Sequence, residues 1–451
     1  MAEILKRNKP LSVSPVKVSA TSGAALAFLG FDRSLPLLHG AQGCTAFNKI
    51  FFVRHFREPI PLQTTALDQI STVMGSDENL IEGLRTVCEK HAPALIGLPT
   101  TGLAETQGCD VRRVVRTFVQ RHPEFAHVPI VPVDTPDYRG SFERGFALAV
   151  DALIEALLPQ GTTRRDASTR HVNLLVNAHL TADDLDWLQE TVAAFGLEPV
   201  TVPDLAASLD GHLDDAEFAS VTTGGTAVAA LRSAGEALAT LVVGASLGPA
   251  ADRLQALTGV PDARFDHLVG LAATDRLLMW LRSVSGQPVP ARLDKQRRRL
   301  QDAMLDCHFT LGTSRFAIAA EADLLTGFVD LLGENGGEVV AAVAPAFAPV
   351  LERTGCATVK IGDLEDLEML ARDAGAELLI ANGHGVESAH RLGVPILQAG
   401  FPQWERLGGF QRGWIGYDGA RHALFDLANA LEAAGRHAAS PYRSVFAVEA
   451  A

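Results

Sequence analysis

Short apolar runs of strand length alternate along this chain with longer segments whose apolar positions recur every three to four residues. A continuous apolar run suits a strand buried on both faces, and helix-period segments between such runs suit crossover connections, so the pattern predicts parallel sheets with helices packed on them. In the first third, ALIGLP (94–99) and VPIVPVD (128–134) read as buried strands. The segment 77–91 reads as a helix with Ile81, Leu84 and Cys88 on one face.

A polar stretch, PQGTTRRDASTR (159–170), interrupts the alternation and reads as a linker into a second unit that starts with HVNLLVN. There Thr181 is placed to cap a helix with Asp183 and Asp184 in its first turn, ending at Gly196 and followed by the strand PVTVPD. Strands are expected next at ASVTTGG (219–225) and LVVGAS (241–246), separated by a helix through Leu238, with a helix after Pro261 and the turn SGQPVP (285–290) closing the unit. From Ala291 a long helix leads into a third unit, with strands at 315–321, 338–345, 357–363, 377–382 and 394–400.

The predicted fold is therefore α/β, with three doubly wound, Rossmann-like domains and mostly parallel sheets. Its parts are an N-terminal arm (1–18), a first domain (19–160), a second (168–290) and a third with C-terminal helices (291–451). A length of 451 residues at roughly 150 per domain agrees with that count.

With 47% hydrophobic and 20% charged residues, the composition is that of an ordinary soluble globular protein. The net charge of -14 argues against general nucleic-acid binding, which needs many cationic contacts to phosphate. The basic run KQRRR (295–299) lies in a helical stretch and reads as a solvated face. No apolar run is long enough for a membrane span, and the first residues have no signal-peptide core, so a cytoplasmic location is expected. Five cysteines without a C-x-x-C pair fit a reducing compartment better than a disulfide framework.

Several chemistries have no motif to carry them. No G-x-G-x-x-G follows a strand and no P-loop, G-x-S-x-G elbow, H-E-x-x-H or EF-hand loop occurs, so no nucleotide and no catalytic residue is assigned. His384, between two glycines after a strand, reads as a turn residue that could line a crevice. Cys88, Cys307 and Cys356 read as core thiols, and Cys109, after Gly108 at an apparent helix start, as structural with some thiolate character.

The remaining thiol, Cys44, stands in HGAQGCTAFNKIFFVRHFREP (39–59). It reads as lying in a glycine-flanked turn beside Arg54, His55 and Arg57, whose charge would favour a thiolate. An iron-sulfur cubane takes four thiolates, so further ligands would have to come from elsewhere in this chain or from a second chain. On local chemistry alone, ligand and ordinary buried thiol are both open for Cys44.

That segment, with its H-G-x-Q-G-C and R-H-F-R-E-P blocks, resembles the cluster-ligand segment of the nitrogenase component 1 family of NifD, NifK, NifE and NifN chains, its β-type members above all. GLPTTGLAETQGCDV, DTPDYRGSFERGF, ELLIANGHG, VPILQAGFPQWER and GWIGYDGA extend the resemblance over most of the chain. The departures are at ligand positions: KVSATSGA puts Ser19, and TTGLAE puts Gly102, where the catalytic β subunit has P-cluster cysteines.

With one of three ligands kept, the resemblance implies the cofactor-assembly branch of the family. It implies Cys44 as this chain's one ligand to a 4Fe-4S cluster shared with NifE in an α2β2 heterotetramer. It further implies a scaffold, more than a stand-alone enzyme, on which the iron-molybdenum cofactor precursor is matured, held mainly by the partner and served transiently by the nitrogenase iron protein. Alternatives are the nitrogenase β subunit itself, the B subunit of dark-operative protochlorophyllide reductase and, more distantly, a small-molecule binding module.

Overall fold

The computed structural model describes residues 1–158, 170–213 and 219–435; the expected linker at 159–170 falls almost wholly outside the described residues. The chain begins with strand β1 (Glu3–Leu5), followed by helix α1 (Ala20–Leu29), β2 (Ser34–Leu38), α2 (Gln42–Phe56), β3 (Gln63–Thr64), α3 (Gln69–Met74), α4 (Asp77–His91), β4 (Leu95–Pro99), α5 (Gly102–Gln107), α6 (Val111–Arg121), β5 (Ile130–Val133) and α7 (Phe142–Leu157). Four of these strands form a parallel sheet in the order β3-β2-β4-β5.

The second sheet is also parallel, with order β7-β6-β8-β9, from β6 (His171–Val176), β7 (Glu198–Val202), β8 (Ala239–Val243) and β9 (Asp262–Phe265). Between its strands lie α8 (Ala182–Ala194), α9 (Val228–Arg232) and α10 (Gly248–Thr258), and α11 (Leu271–Ser285) follows. The third sheet has the order β1-β12-β11-β10-β13-β14, all parallel, from β10 (Arg315–Ala319), β11 (Glu338–Ala344), β12 (Thr358–Ile361), β13 (Leu378–Ala381) and β14 (Ile396–Gln398). It is flanked by α12 (Ala291–Leu311), α13 (Ala322–Glu334), α14 (Leu364–Ala374), α15 (Val386–Leu392) and α16 (Gly416–Ala433). The fold is thus α/β, with three Rossmann-like sheets joined by helical crossovers.

The arm expected at the N-terminus does more than trail: β1 pairs with β12 at the edge of the third sheet, so the chain's first residues are tied to its last unit. The strand expected at 219–225 is not one. Thr222 bonds back to the first unit instead, its hydroxyl donating 2.5 Å to the Phe31 carbonyl and its N–H 3.1 Å to the Ser34 carbonyl. A β-prone composition is spent there on crossing between units. The helix expected through Leu238 is only the short α9 and a 3-10 turn; the helix expected after Pro261 is present as α11, but an unforeseen strand, β9, comes before it as the fourth of that sheet. The Thr181 cap is formed as a capping box with Asp184, each side chain accepting from the other's backbone N–H.

Two helices of the first unit cross in near backbone contact. A Cβ on Gly23 of α1 would lie 1.8 Å from the Phe142 carbonyl oxygen, and one on Gly145 of α7 would lie 1.8 Å from that of Ala20. Only glycine at both positions lets α1 sink so deep that all ten of its residues are buried.

Candidate functional site

Cys44 is in the first turn of α2, not in a turn of its own. The helix starts at Gln42 because Ala41 is extended and the Cys44 N–H already bonds the Ala41 carbonyl at 3.1 Å. No side chain caps it, so its first turn keeps unpaired N–H donors facing outward beside an exposed thiol.

The expected cationic surroundings are not there. Arg54 and His55 occupy the last turn of α2, roughly 15 Å along the axis for ten residues of helix, and Arg57 lies beyond its end. His55 is buried among Phe56, Phe401 and Phe410, accepts the Gln403 N–H at 3.1 Å, and is held neutral by burial with its pKa lowered to about 3. Arg54 lies 4.5 Å over the Trp404 ring. The basic run therefore docks α2 onto the third unit and gives nothing to Cys44.

The three positions singled out by the resemblance do come together at helix starts on the carboxyl edge of the first sheet. Ser19 is the N-cap of α1, its hydroxyl accepting from the Ser22 N–H at 3.1 Å and lying 2.7 Å from the Ser22 hydroxyl. Ser22 donates in turn to the Asn48 side-chain oxygen, and the Asn48 amide donates 2.8 Å to the Cys44 carbonyl. One chain of hydrogen bonds thus links the Ser19 position to the backbone of Cys44.

Gly102 opens α5, and that helix start is clamped to α2 through His39. The His39 carbonyl accepts from both the N–H and the hydroxyl of Thr101, each at 3.1 Å. The His39 ring is fully buried between the Thr65 hydroxyl at 3.0 Å and the Ser76 hydroxyl at 3.3 Å, and burial lowers its pKa to about 4, so it is a neutral brace. Gly40 is required by close approach, since a Cβ there would lie 2.3 Å from the Thr101 hydroxyl oxygen.

Gly43 and Gly102 differ from Gly40: a Cβ on either meets no atom within 4 Å. Neither glycine is therefore imposed by close contact, and the Cys44 thiol between them in the chain is exposed. Among the described residues no three His, Cys, Asp or Glu side chains gather into a metal position, so this donor set fits a metal cluster only if a second chain supplies the other ligands.

Large apolar side chains are exposed on α2 and α3. Phe47 (67% exposed) and Ile50 (52%) on α2 and Ile70, Val73 and Met74 on α3 all face outward, and α3 is tied to α5 by the Gln107 amide donating 2.7 Å to the Ser71 carbonyl. Exposed apolar side chains of this size are the kind found on a contact surface.

The other thiols are elsewhere. Cys88, Cys307 and Cys356 are buried. Cys109 precedes the Asp110 N-cap of α6; burial pushes its pKa up, and its sulfur lies 3.9 Å from an Asp77 oxygen, so the helix start does not make it a thiolate. His384 sits in a 3-10 turn against Phe51 and Trp404, at the seam between the first and third units. The sequence reading missed Ser22, His39 and Asn48. Asn48, one helical turn after Cys44 and the only amide side chain within α2 apart from its first residue, was the available signal.

Three parallel sheets in one chain, with a lone outward thiol among converging helix starts at the edge of the first, define a subunit built like those of nitrogenase component 1. The chain belongs to the nitrogenase component 1 type oxidoreductase family, whose model matches residues 19–432. It is 43% identical to the nitrogenase iron-molybdenum cofactor biosynthesis protein NifN of Klebsiella pneumoniae, over 98% of this chain and 96% of that one. It is 42% identical to the protein of the same name from Bradyrhizobium diazoefficiens, over 95% and 91%. Among solved structures it is similar to nitrogenase Cp1 at pH 6.5, with a TM-score of 0.89, 25% identity and 96% of each chain covered. Among the described residues no helix is long and apolar enough to cross a membrane.

Proposed function

We propose that this chain is the β-type subunit of a two-chain cytoplasmic scaffold, with a NifE-type partner in an α2β2 assembly, on which the nitrogenase iron-molybdenum cofactor precursor is matured. Relatives that carry the cofactor-biosynthesis name match nearly its whole length at 43% and 42% identity, against 25% for the nitrogenase structure, which favours the scaffold over a catalytic β subunit. The observation that carries the reading is the half-built site: one exposed thiol, Cys44, with Ser19 and Gly102 at the neighbouring positions and no co-ligand among the described residues.

Cys44 would hold a 4Fe-4S cluster together with thiolates of the partner. When bound, such a cluster supplies one-electron redox chemistry. The rest is done by this chain's residues: Asn48 fixes the Cys44 backbone, neutral His39 locks the starts of α2 and α5 together, and Phe47, Ile50 and Met74 exclude water once the partner covers them. The precursor itself is held mainly by the partner, and the nitrogenase iron protein docks transiently.

The test is Cys44→Ala in the anaerobically purified complex. Iron at the interface and the paramagnetic signal of the reduced cluster are expected to be lost while the chain's circular dichroism is retained; an undiminished signal would overturn the assignment. Ser19→Cys combined with Gly102→Cys is the converse arm, expected to raise iron above the about four per heterodimer of a single cubane.

A further inference from the structure

One buried polar ring ties the three units to one another, and it includes none of Ser19, Cys44 and Gly102. From the first unit, Glu143 in the first turn of α7 accepts from the His179 ring at 3.1 Å and from the Asp323 N–H at 2.9 Å. From the second, the Asn177 side chain accepts the backbone N–H of His179 at 3.1 Å and donates to Asp323 at 3.1 Å, while the Ser246 hydroxyl donates to Asp323 at 2.6 Å. From the third, Glu321 at the N-cap of α13 accepts from the Ser141 hydroxyl at 2.5 Å. Each unit thus holds the other two through carboxyl groups.

The ring lacks a counter-charge. Glu143, His179 and Asp323 are buried, and among the described residues none of Glu143, Glu321 and Asp323 is paired with a lysine or arginine. His179 does not take that place: its Nδ1 has no partner, so an imidazolium would bury an unpaired N–H, and the ring sits there neutral. Lys17 donates instead to the Asp137 carbonyl at 2.5 Å, Arg7 to the Ser12 hydroxyl at 3.0 Å, and Arg144 is exposed.

Three carboxylates so placed would be buried anions with nothing to neutralise them, which is costly unless they keep their protons. Burial raises Glu143; burial together with the neighbouring Glu143 carboxyl raises Glu321 and brings Asp323 up to about 7; burial lowers His179. Protons can reach the ring, because a crevice of about 670 Å³ lined by Ser141, Glu143, Glu321 and Ser246 leads to it and Glu321 is partly exposed there.

We propose that this ring is a proton-dependent latch: with its carboxyls protonated it clamps the third unit onto the first and second, and as they ionise the seam opens at the starts of α7 and α13. The closed seam binds more protons than the open one, whose carboxyls ionise in the ordinary range. Closure therefore weakens progressively as pH rises from that range through about 7. His179 acts in the opposite sense only below its ordinary value of 6.5, where an opened ring would take up a proton, and Lys17, also lowered by burial, only in its own alkaline range.

Amide hydrogen exchange of the full-length chain, corrected for its intrinsic pH dependence, tests the latch. Between about pH 6.5 and about pH 8.5, opening in the first turns of α7 and α13 should increase about tenfold or more, while amides in the middle of α12, which carries none of the ring, show no such gain. Glu143→Gln combined with Glu321→Gln keeps an acceptor at both positions without the charge, and should cut that gain about threefold or more. Should the double variant fail to fold, Glu321→Gln alone, at the partly exposed position, is expected to lower the gain by about half. Cys44→Ala should behave as the parent chain does, since the latch does not rest on the cluster assignment. Equal opening of the parent chain at both pH values, or an undiminished gain in the glutamine variants, would overturn the proposal.

Discussion

Helices α1 and α2 both begin at positions that the resemblance marks as ligand positions, and neither has a clear apolar stripe, yet they are built for opposite ends. All ten residues of α1 are buried, wedged against α7 through Gly23 and Gly145. In α2 only one face is covered: Phe52, His55 and Phe56 turn inward, while Phe47, Ile50 and Val53 face outward. Apolar residues all around a helix can thus mean burial within one chain or a face kept for another. Linear periodicity does not separate the two.

This contrast can be broken at three points. Gly145→Val should be the most damaging, because its side chain would collide with the Ala20 backbone; a loss of about 3 kcal/mol is expected in urea unfolding, and a tolerated valine would mean that α1 is not locked from inside. Phe47→Asp should leave the chain's own stability within about 0.5 kcal/mol but weaken association with the partner by about 2 kcal/mol, roughly thirtyfold, in analytical ultracentrifugation. The reverse outcome, a destabilised chain with normal assembly, would make the outer face of α2 structural. Ser19→Ala should cost about 1 kcal/mol of thermal stability through the lost α1 cap, whereas Ala41, which caps nothing at α2, should tolerate serine with no loss.

Much of the architecture was legible because buried parallel strands advertise themselves. The strands at β4, β6, β8, β10 and β13 are short runs dominated by apolar residues, and the Thr181 capping box is a local signal read from four residues. Strands whose runs are interrupted or polar were missed. β2 carries Pro36 and β9 reads Asp-Ala-Arg-Phe, and each is held by pairing with a neighbour distant in sequence. The opposite error at 219–225 arose because Thr222 satisfies backbone groups of the first unit where a strand would satisfy a sheet.

The site divides in the same way. The glycines around Cys44 and the substitutions Ser19 and Gly102 were visible as letters. Their meaning was not: Gly40 is set by contact with Thr101, Gly43 and Gly102 by open space, and the basic run sits at the far end of the helix from the thiol it was expected to charge. Sequence neighbours ten residues apart are close in a turn and distant in a helix.

By itself, the sequence determined the α/β class, the three-part alternation and the lone thiol in its family context, since these depend on residue type and on periods of two to four residues. Only the tertiary structure decided that α1 is interior and α2 a boundary, that β1 closes the third sheet, and that Lys17, Arg144, Glu321 and Ser246 share one crevice. Those facts depend on which surfaces meet across hundreds of residues, and close packing selects them through the space each side chain finds or lacks.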